Sequence, residues 1–346
     1  MLVAMSGGVD SSVAAFLLQE QGYDCTGAMM KLFEAPEGMA AEKGCCTLED
    51  AEDARNVAQK LDIPFYVFNF TDAFEKEVMQ RFIKAYKNGT TPNPCIDCNR
   101  YVKFEKFLHR AAETEHDYIA TGHYAQIEQD TNGRFLLKKG PDETKDQSYV
   151  LYAMTQKQLS RTLLPLGGMD KRTVRKIAEK AGLINAKKRD SQDICFAPDG
   201  DYARVIGETP PGDFISPDGK ILGKHKGIAH YTIGQRKGLG ISAPHPLYVS
   251  AVNAAENTIT LSSNEQLFSP TLTAGDVNLI PFDTFPDSLR LTVKIRYAHA
   301  PQPATVYAAE NNQLRLHFDK PQRAITPGQA VVLYDGDYVI GGGTIL

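Results

Sequence analysis

The chain has 346 residues, 42% of them hydrophobic and 23% charged, with a formal net charge of −4. That length exceeds what one hydrophobic core accommodates and calls for two or three domains. The composition excludes a disordered or fibrous chain, and the mild acidity excludes a uniformly basic nucleic-acid binder. No apolar run approaches the roughly 20 residues that span a bilayer. The N-terminus lacks a basic segment followed by a long apolar one, so a cytoplasmic location is expected. The six cysteines are Cys25, Cys45, Cys46, Cys95, Cys98 and Cys195. They are too few for a disulfide scaffold of this length and point to metal or sulfur chemistry.

In chain order, Leu2–Met5, Cys25–Leu32, Pro64–Phe68 and Asp117–Thr121 read as short buried strands. Helical patterns lie between them at Ser11–Gln21, Leu48–Leu61, Thr71–Tyr86 and Tyr101–Glu113. Val13, Phe16 and Leu17 share one helical face, as do Ala54, Val57, Ala58 and Leu61. This alternation predicts an α/β domain with a parallel sheet and helices on both faces. Ala125–Lys138 reads as a hairpin with Thr-Asn-Gly at its tip. Gln156–Leu166 and Lys171–Gly182 read as helices. From Asp201 onward Pro and Gly become frequent and Val/Ile/Thr alternation takes over, predicting a small, mostly β central domain. From Pro270 the stretch "LRLTVKIRYAHAPQPATVYAAENNQLRLHF" predicts an antiparallel β-barrel. The expected domains are 1–200, 201–269 and 270–346.

"LVAMSGGVDSSVAAFLL" places a Ser/Gly turn between the first strand and the first helix. A helix N-terminus at the carboxyl end of a strand is an anion site. Gly7 and Gly8 allow close backbone approach and positive φ. Ser6, Ser11 and Ser12 supply hydroxyls, and Asp10 can cap the helix or hold Mg²⁺. The loop has no lysine, so it is not the G-x-x-x-x-G-K-[ST] loop. "SGGVDSS" resembles the pyrophosphate loop of the ATP pyrophosphatase superfamily, whose members split ATP into AMP and pyrophosphate.

"TPNPCIDCNRYVKF" sets Cys95 and Cys98 three apart, just before a helix expected to start near Asn99. Such a position, with Arg100 and Lys103 nearby, favours a thiolate at Cys98. Cys195 sits in "DSQDICFAPDGDY", after the basic stretch Lys187–Arg189. Cys45 and Cys46 precede a helix that Thr47 and Asp50 would cap, and Cys25 falls on a buried strand; these three read as structural. In order along the chain, "SGGVDSS", "TPNPCIDCNRYVKF", "YIATGHYA", "KDQSYVLY", "DSQDICFAP", "YTIGQRKGLG" and "KIRYAHAP" resemble bacterial tRNA 2-thiouridylases over essentially the whole length.

The resemblance implies ATP-dependent replacement of the C2 oxygen of the wobble uridine by sulfur. It implies Cys98 as nucleophile, Cys195 as persulfide carrier, and a transient disulfide between them. For ATP it implies Ala4, Met5, Ser6, Gly7, Gly8, Val9, Asp10, Ser11 and Ser12 with Met30 and Gly122. For tRNA it implies Asn93, Pro94 and Cys95 near the base, Lys145, Asp146 and Gln147, and Arg296 and Tyr297. Mg²⁺ is the implied metal, and tRNAs for Lys, Glu and Gln, an upstream sulfur-donor protein or sulfide source, and a monomeric state are expected. Some relatives carry Asp where Cys95 stands. Cys95, Cys98 and Cys195 together suggest a three-thiolate iron–sulfur site, an iron–sulfur-dependent variant of the same thiolation. His123 stands open between acid–base work and a hydrogen-bonded structural place.

Basic islands at Arg81–Arg110, Lys171–Asp190 (eight Lys and Arg) and Gly219–Gly240 either track phosphates or are solvated faces. Another ATP-dependent ligase of the same superfamily would not need the two cysteines. A non-enzymatic RNA-binding or sulfur-carrier protein would bind tRNA without forming AMP.

Overall fold

The computed structural model describes residues 1–33, 48–188, 194–197, 200 and 202–346. Cys45, Cys46 and Thr47 lie outside the described residues. The chain divides into two compact units. One comprises Met1–Val78, Cys95–Gly200 and Asp337–Val339; the other comprises Met79–Pro94, Asp201–Gly336 and Ile340–Leu346.

The first unit is the expected α/β domain. Strands β1 (Leu2–Ala4), β2 (Thr26–Lys31), β3 (Phe65–Asn69) and β4 (Ile119–Ala120) are joined by a short strand Thr162–Leu163 in one parallel sheet. In space β3, β2, β1, β4 and Thr162–Leu163 follow one another. The order turns back between β1 and β4, and that switch point opens a crevice at their carboxyl ends. Helix Val9–Glu20 packs Val13, Ala14 and Leu18 into a core shared with Val57, Ala58 and Val174. The hairpin forms from β5 (Ala125–Gln129) and β6 (Phe135–Lys139), and β6 also pairs with Tyr338 and Val339.

Two helix expectations are corrected. Gln156–Leu166 is helical only over Gln156–Leu159, closed at its start by a Thr155–Gln158 capping box; the chain then extends into Thr162–Leu163. The helix expected over Tyr101–Glu113 starts earlier, at Pro94, and Cys98–Lys106 winds as a π-helix before Phe107–Glu113 returns to α. Its buried residues include Cys98, Val102, Phe107 and Ala111. The i→i+5 bonding of this stretch widens each turn beyond 3.6 residues.

In the second unit, helix Gln80–Lys87 sets Phe82 and Tyr86 against Tyr202, with ring centroids 5.8 and 6.3 Å apart. A four-stranded sheet of Gly212–Ile215, Ile221–His225, Tyr248–Asn253 and Thr258–Ser262 encloses Phe214, Tyr231, Val249, Ile259 and Leu261. Beyond it, Phe268–Leu279, Gln313–Arg323, Gln302–Ala309, Ser288–Lys294, Ala330–Asp335 and Tyr338–Ile345 lie side by side in that order. Pairing of the first with the last closes an antiparallel barrel. Leu314, Leu316 and Phe318 point inward, alternating with exposed Arg315, His317 and Asp319, the period of two that the sequence displays.

Candidate active site

The turn after β1 lies at the crevice. Gly7 has φ 74, and a Cβ there would sit 2.3 Å from the Asp50 carbonyl oxygen. Gly7 is thus required by the helix start that packs on it, not only by a ligand. Gly8 is extended, with φ −86, and forms the N-cap of helix Val9–Glu20 without a side-chain cap. This corrects the expectation of positive φ at both glycines. The hydroxyls of Ser11 and Ser12 donate to the Gly8 carbonyl at 3.1 and 3.0 Å. They brace the turn. Ser6 remains exposed at the mouth, and the first-turn N–H groups of a 12-residue helix face the crevice. Gly122, just past β4, admits the helix start: a Cβ there would be 2.8 Å from the Asp10 carbonyl carbon and the Ser11 nitrogen. Ala4 and Met5 are buried beneath the turn, as is Val9, and Met30 is half-buried near the end of β2.

Asp10 does not cap its helix. Both its oxygens accept from the Lys171 ammonium, at 2.7 and 2.8 Å, and Oδ1 accepts from the Tyr124 hydroxyl at 2.6 Å. The loop lacks a lysine, yet the fold delivers one from the first position of helix Lys171–Lys180. Lys171 is buried, and its ammonium lies 5.8 Å from the Tyr124 ring centroid. Asn185, also buried, donates to the Gly7 carbonyl at 3.0 Å and to the Ser12 hydroxyl at 2.8 Å. Its Oδ1 has no hydrogen-bond partner among the described residues. Neither Tyr124 nor Asn185 was singled out by sequence, and Lys171 counted only as one charge in a basic island. That island turns partly inward: Arg175 donates to the Ala186 and Lys188 carbonyls, and Lys188 bonds Asp50 and Asp53 at 2.8 and 2.5 Å. Partial burial lowers the Lys188 pKa, but the two aspartates outweigh it and the net shift is upward.

Cys98 is buried at the start of the π-helix, and Cys95 is exposed in the turn before it. Because the helical run begins at Pro94, Cys95 and not Cys98 occupies its first turn. The neighbouring Asn99 donates to the Val150 carbonyl at 3.2 Å. That carbonyl belongs to the short helix Ser148–Leu151, whose N-cap residue is Gln147. Cys195 is half-buried on the turn 194–197. The adjacent Phe196 anchors that turn against Phe74, ring centroids 5.8 Å apart. Among the described residues no group of three or more His, Cys, Asp or Glu is placed to hold a metal ion. Cys95 and Cys98 differ in exposure within one helical run.

Asp146 and Gln147 are engaged locally. Asp146 accepts from the Gly140 and Ser148 backbones, both at 3.1 Å, and Gln147 Oε1 accepts from the Tyr124 N–H at 3.0 Å. His123 is buried, with Nδ1 2.7 Å from the Thr121 hydroxyl and its ring tilted on Phe104. Burial, helped by Lys103, pushes its pKa down to about 3, so the ring is neutral at physiological pH. In the second unit, Thr91 donates to the Pro327 carbonyl and Gln329 donates to the Thr91 carbonyl, holding the approach to Asn93 and Pro94. Arg296 donates to the Arg323 carbonyl at 3.2 Å; Tyr297 is exposed, with the Lys294 ammonium 5.6 Å from its ring centroid.

Three family models cover the chain. A "tRNA methyl transferase HUP domain" matches residues 1–199, a "tRNA methyl transferase PRC-barrel domain" 202–263, and an "Aminomethyltransferase beta-barrel domain" 269–345. Among curated relatives, the tRNA-specific 2-thiouridylase MnmA of Clostridioides difficile (strain 630) is 51% identical over 351 residues, covering 100% of this chain and 97% of that protein. The corresponding proteins of Lachnoclostridium phytofermentans and Acetivibrio thermocellus are 49% and 50% identical, each over 100% of this chain and over 99% and 98% of their own lengths. No helix among the described residues is long and apolar enough to cross a membrane. With a Ser/Gly turn at the switch point of a parallel sheet, a β-rich middle segment, a closed C-terminal barrel and full-length identity near one half, the chain belongs to the tRNA-specific 2-thiouridylase family.

Proposed function

We propose that this enzyme uses ATP to replace the C2 oxygen of the wobble uridine of tRNA with sulfur. The observation that carries the reading is one connected framework in the first unit. The Asp10–Lys171 pair lies at the phosphate-binding turn, and Tyr124, Gln147 and the helix Ser148–Leu151 link that turn to Asn99, next to Cys98. Methyl transfer, the reaction named in two of the family models, does not need a pyrophosphate turn.

In this reading the helix N-terminus, Ser6 and the Lys171 ammonium hold the β- and γ-phosphates. The residues present fit Mg²⁺, with Asp10 as its carboxylate ligand and the phosphates as its partners; the ion would neutralise developing charge on pyrophosphate. The uracil C2 oxygen attacks the α-phosphorus as N3 loses its proton, and pyrophosphate leaves with the bonding pair. The terminal sulfur of a Cys195 persulfide attacks C2, and AMP departs with the oxygen. The Cys98 thiolate then attacks the Cys195 sulfur. The S–S electrons pass to the sulfur on C2, N3 regains its proton, and a Cys98–Cys195 disulfide forms that an external dithiol reduces. Asn93, Pro94 and Cys95, Lys145–Gln147, and Arg296 with Tyr297 are assigned to the tRNA, whose target base must leave the anticodon stack.

The test is an anaerobic reaction of unmodified tRNA with Mg-ATP and a cysteine-persulfide donor, with 2-thiouridine read by mass spectrometry after digestion. Wild type is expected to form it, and Cys98→Ser and Cys195→Ser to form none. AMP release without thiouridine would keep the ATP chemistry and reject the substrate. Full activity in both serine variants would reject the sulfur relay.

A further inference from the structure

The hydrogen bonds around Asp10 close a ring. Tyr124 donates its hydroxyl to Asp10 at 2.6 Å. The backbone of the same Tyr124 is held twice by Gln147: its carbonyl accepts from the Gln147 N–H at 2.8 Å, and its N–H donates to Gln147 Oε1 at 3.0 Å. From Gln147 the chain runs back to Asp142, whose carbonyl accepts from the N–H groups of Lys145 and Asp146 at 2.9 and 2.8 Å. The Asp142 carboxylate accepts from the Lys171 backbone N–H at 3.2 Å. Lys171 returns to Asp10 through its ammonium. Segment 142–147 is thus tied at two points to the backbones of the two residues whose side chains hold Asp10, and Tyr124 is buried at the centre.

We propose that Tyr124 is a positioning residue that couples nucleotide occupancy of the phosphate turn to tRNA binding by segment 142–147. The proposal rests on the reading above, in which Asp10 and Lys171 meet Mg-ATP and Lys145–Gln147 meet tRNA. Phosphates arriving at the turn add contacts to the Lys171 ammonium while it stays paired with Asp10. With Lys171 held from both sides, Asp10 and the Tyr124 hydroxyl bonded to it are held more firmly. Tyr124 cannot be fixed without its two backbone bonds to Gln147 being fixed too. The ring is thus held more tightly, so tRNA ordering the same segment meets less entropic opposition. The expected sign is mutual tightening.

The experiment measures the dissociation constant of a labelled, unmodified tRNA by anisotropy, with and without saturating Mg²⁺ and α,β-methylene-ATP. The readout is the ratio of the two constants. Wild type is expected to show about fivefold or greater tightening. Tyr124→Phe, which keeps the ring and removes only the hydroxyl, is expected to bring the ratio to within about twofold of one. The reciprocal measurement, nucleotide binding with and without tRNA, must return the same ratio. A general loss of structure weakens both affinities and leaves the ratio in place, so the ratio separates positioning from packing. If Tyr124→Phe does not fold, Asp142→Ala, which frees the Lys171 backbone N–H, is judged by the same criterion. A ratio of one in wild type, or a wild-type ratio retained in the variant, overturns the proposal. Failure of wild type to bind tRNA or the nucleotide at all is a distinct result and overturns the underlying reading as well.

Discussion

Lys171→Met tests how strongly the fold depends on the Asp10 pair. Methionine keeps most of the alkyl volume and removes the charge. The Lys171 side chain is 11% exposed and that of Asp10 is 30% exposed. Breaking a fully buried pair costs about 3–5 kcal/mol because one charge is stranded. Here Asp10 keeps the Tyr124 hydroxyl, partial solvent access and a favourable place in the first helical turn. The cost therefore falls to about 2 kcal/mol. For a unit of this size that lowers Tm by roughly 4–8 °C. Asp10→Asn strands the lysine instead and is expected to cost a similar amount. The double variant Asp10→Asn/Lys171→Met leaves no stranded charge and is expected within about 1 kcal/mol of wild type, a coupling of about 3 kcal/mol. Scanning calorimetry suits the assay, since the chain has no tryptophan. Strictly additive single effects, or a Lys171→Met protein as stable as wild type, would refute the reasoning.

Gly7→Ala is expected to unseat the turn, because the new Cβ meets the Asp50 backbone at 2.3 Å in a left-handed conformation; Gly8→Ala, with Ser6 Oγ at 3.5 Å and extended φ, is expected to stay within about 0.5 kcal/mol of wild type by thermal melting. Asn185→Leu removes two donors from the Gly7 carbonyl and Ser12 hydroxyl and is expected to cost about 1–3 kcal/mol and to weaken binding of an ATP analogue, read by melting and by calorimetric titration. His123 carries a folded pKa depressed to about 3 against an ordinary value of 6.5. The unfolded chain therefore binds the extra proton first: stability is complete above pH 6.5 and falls by ~1.4 kcal/mol for each pH unit below it, until the folded value is reached. His123→Gln is expected to flatten melting-temperature profiles between pH 6.5 and 5; an unchanged slope would place the titration elsewhere.

The local chemistry of this protein was legible in its sequence. A Gly-Gly turn between an apolar tripeptide and an amphipathic run specifies strand, tight turn and helix, because glycine conformation and side-chain periodicity act over a few residues. The alternation in Gln313–Arg323 specified barrel strands for the same reason. The π-helix at Cys98 escaped, since side-chain periodicity over nine residues does not separate i→i+5 from i→i+4 bonding. Only the tertiary structure decided what surrounds the turn. Lys171, Tyr124 and Asn185 come from positions 161, 114 and 173 residues away from their partners Asp10 and Ser12. Nothing in their immediate neighbours marks them. Lys171 opens a basic helix, and a lysine there is ordinarily a solvated charge. It becomes a buried partner of Asp10 because the parallel sheet brings the start of its helix to the same crevice as the Ser/Gly turn. Pairing at that distance is a property of the packed layers, and local propensity carries no record of it.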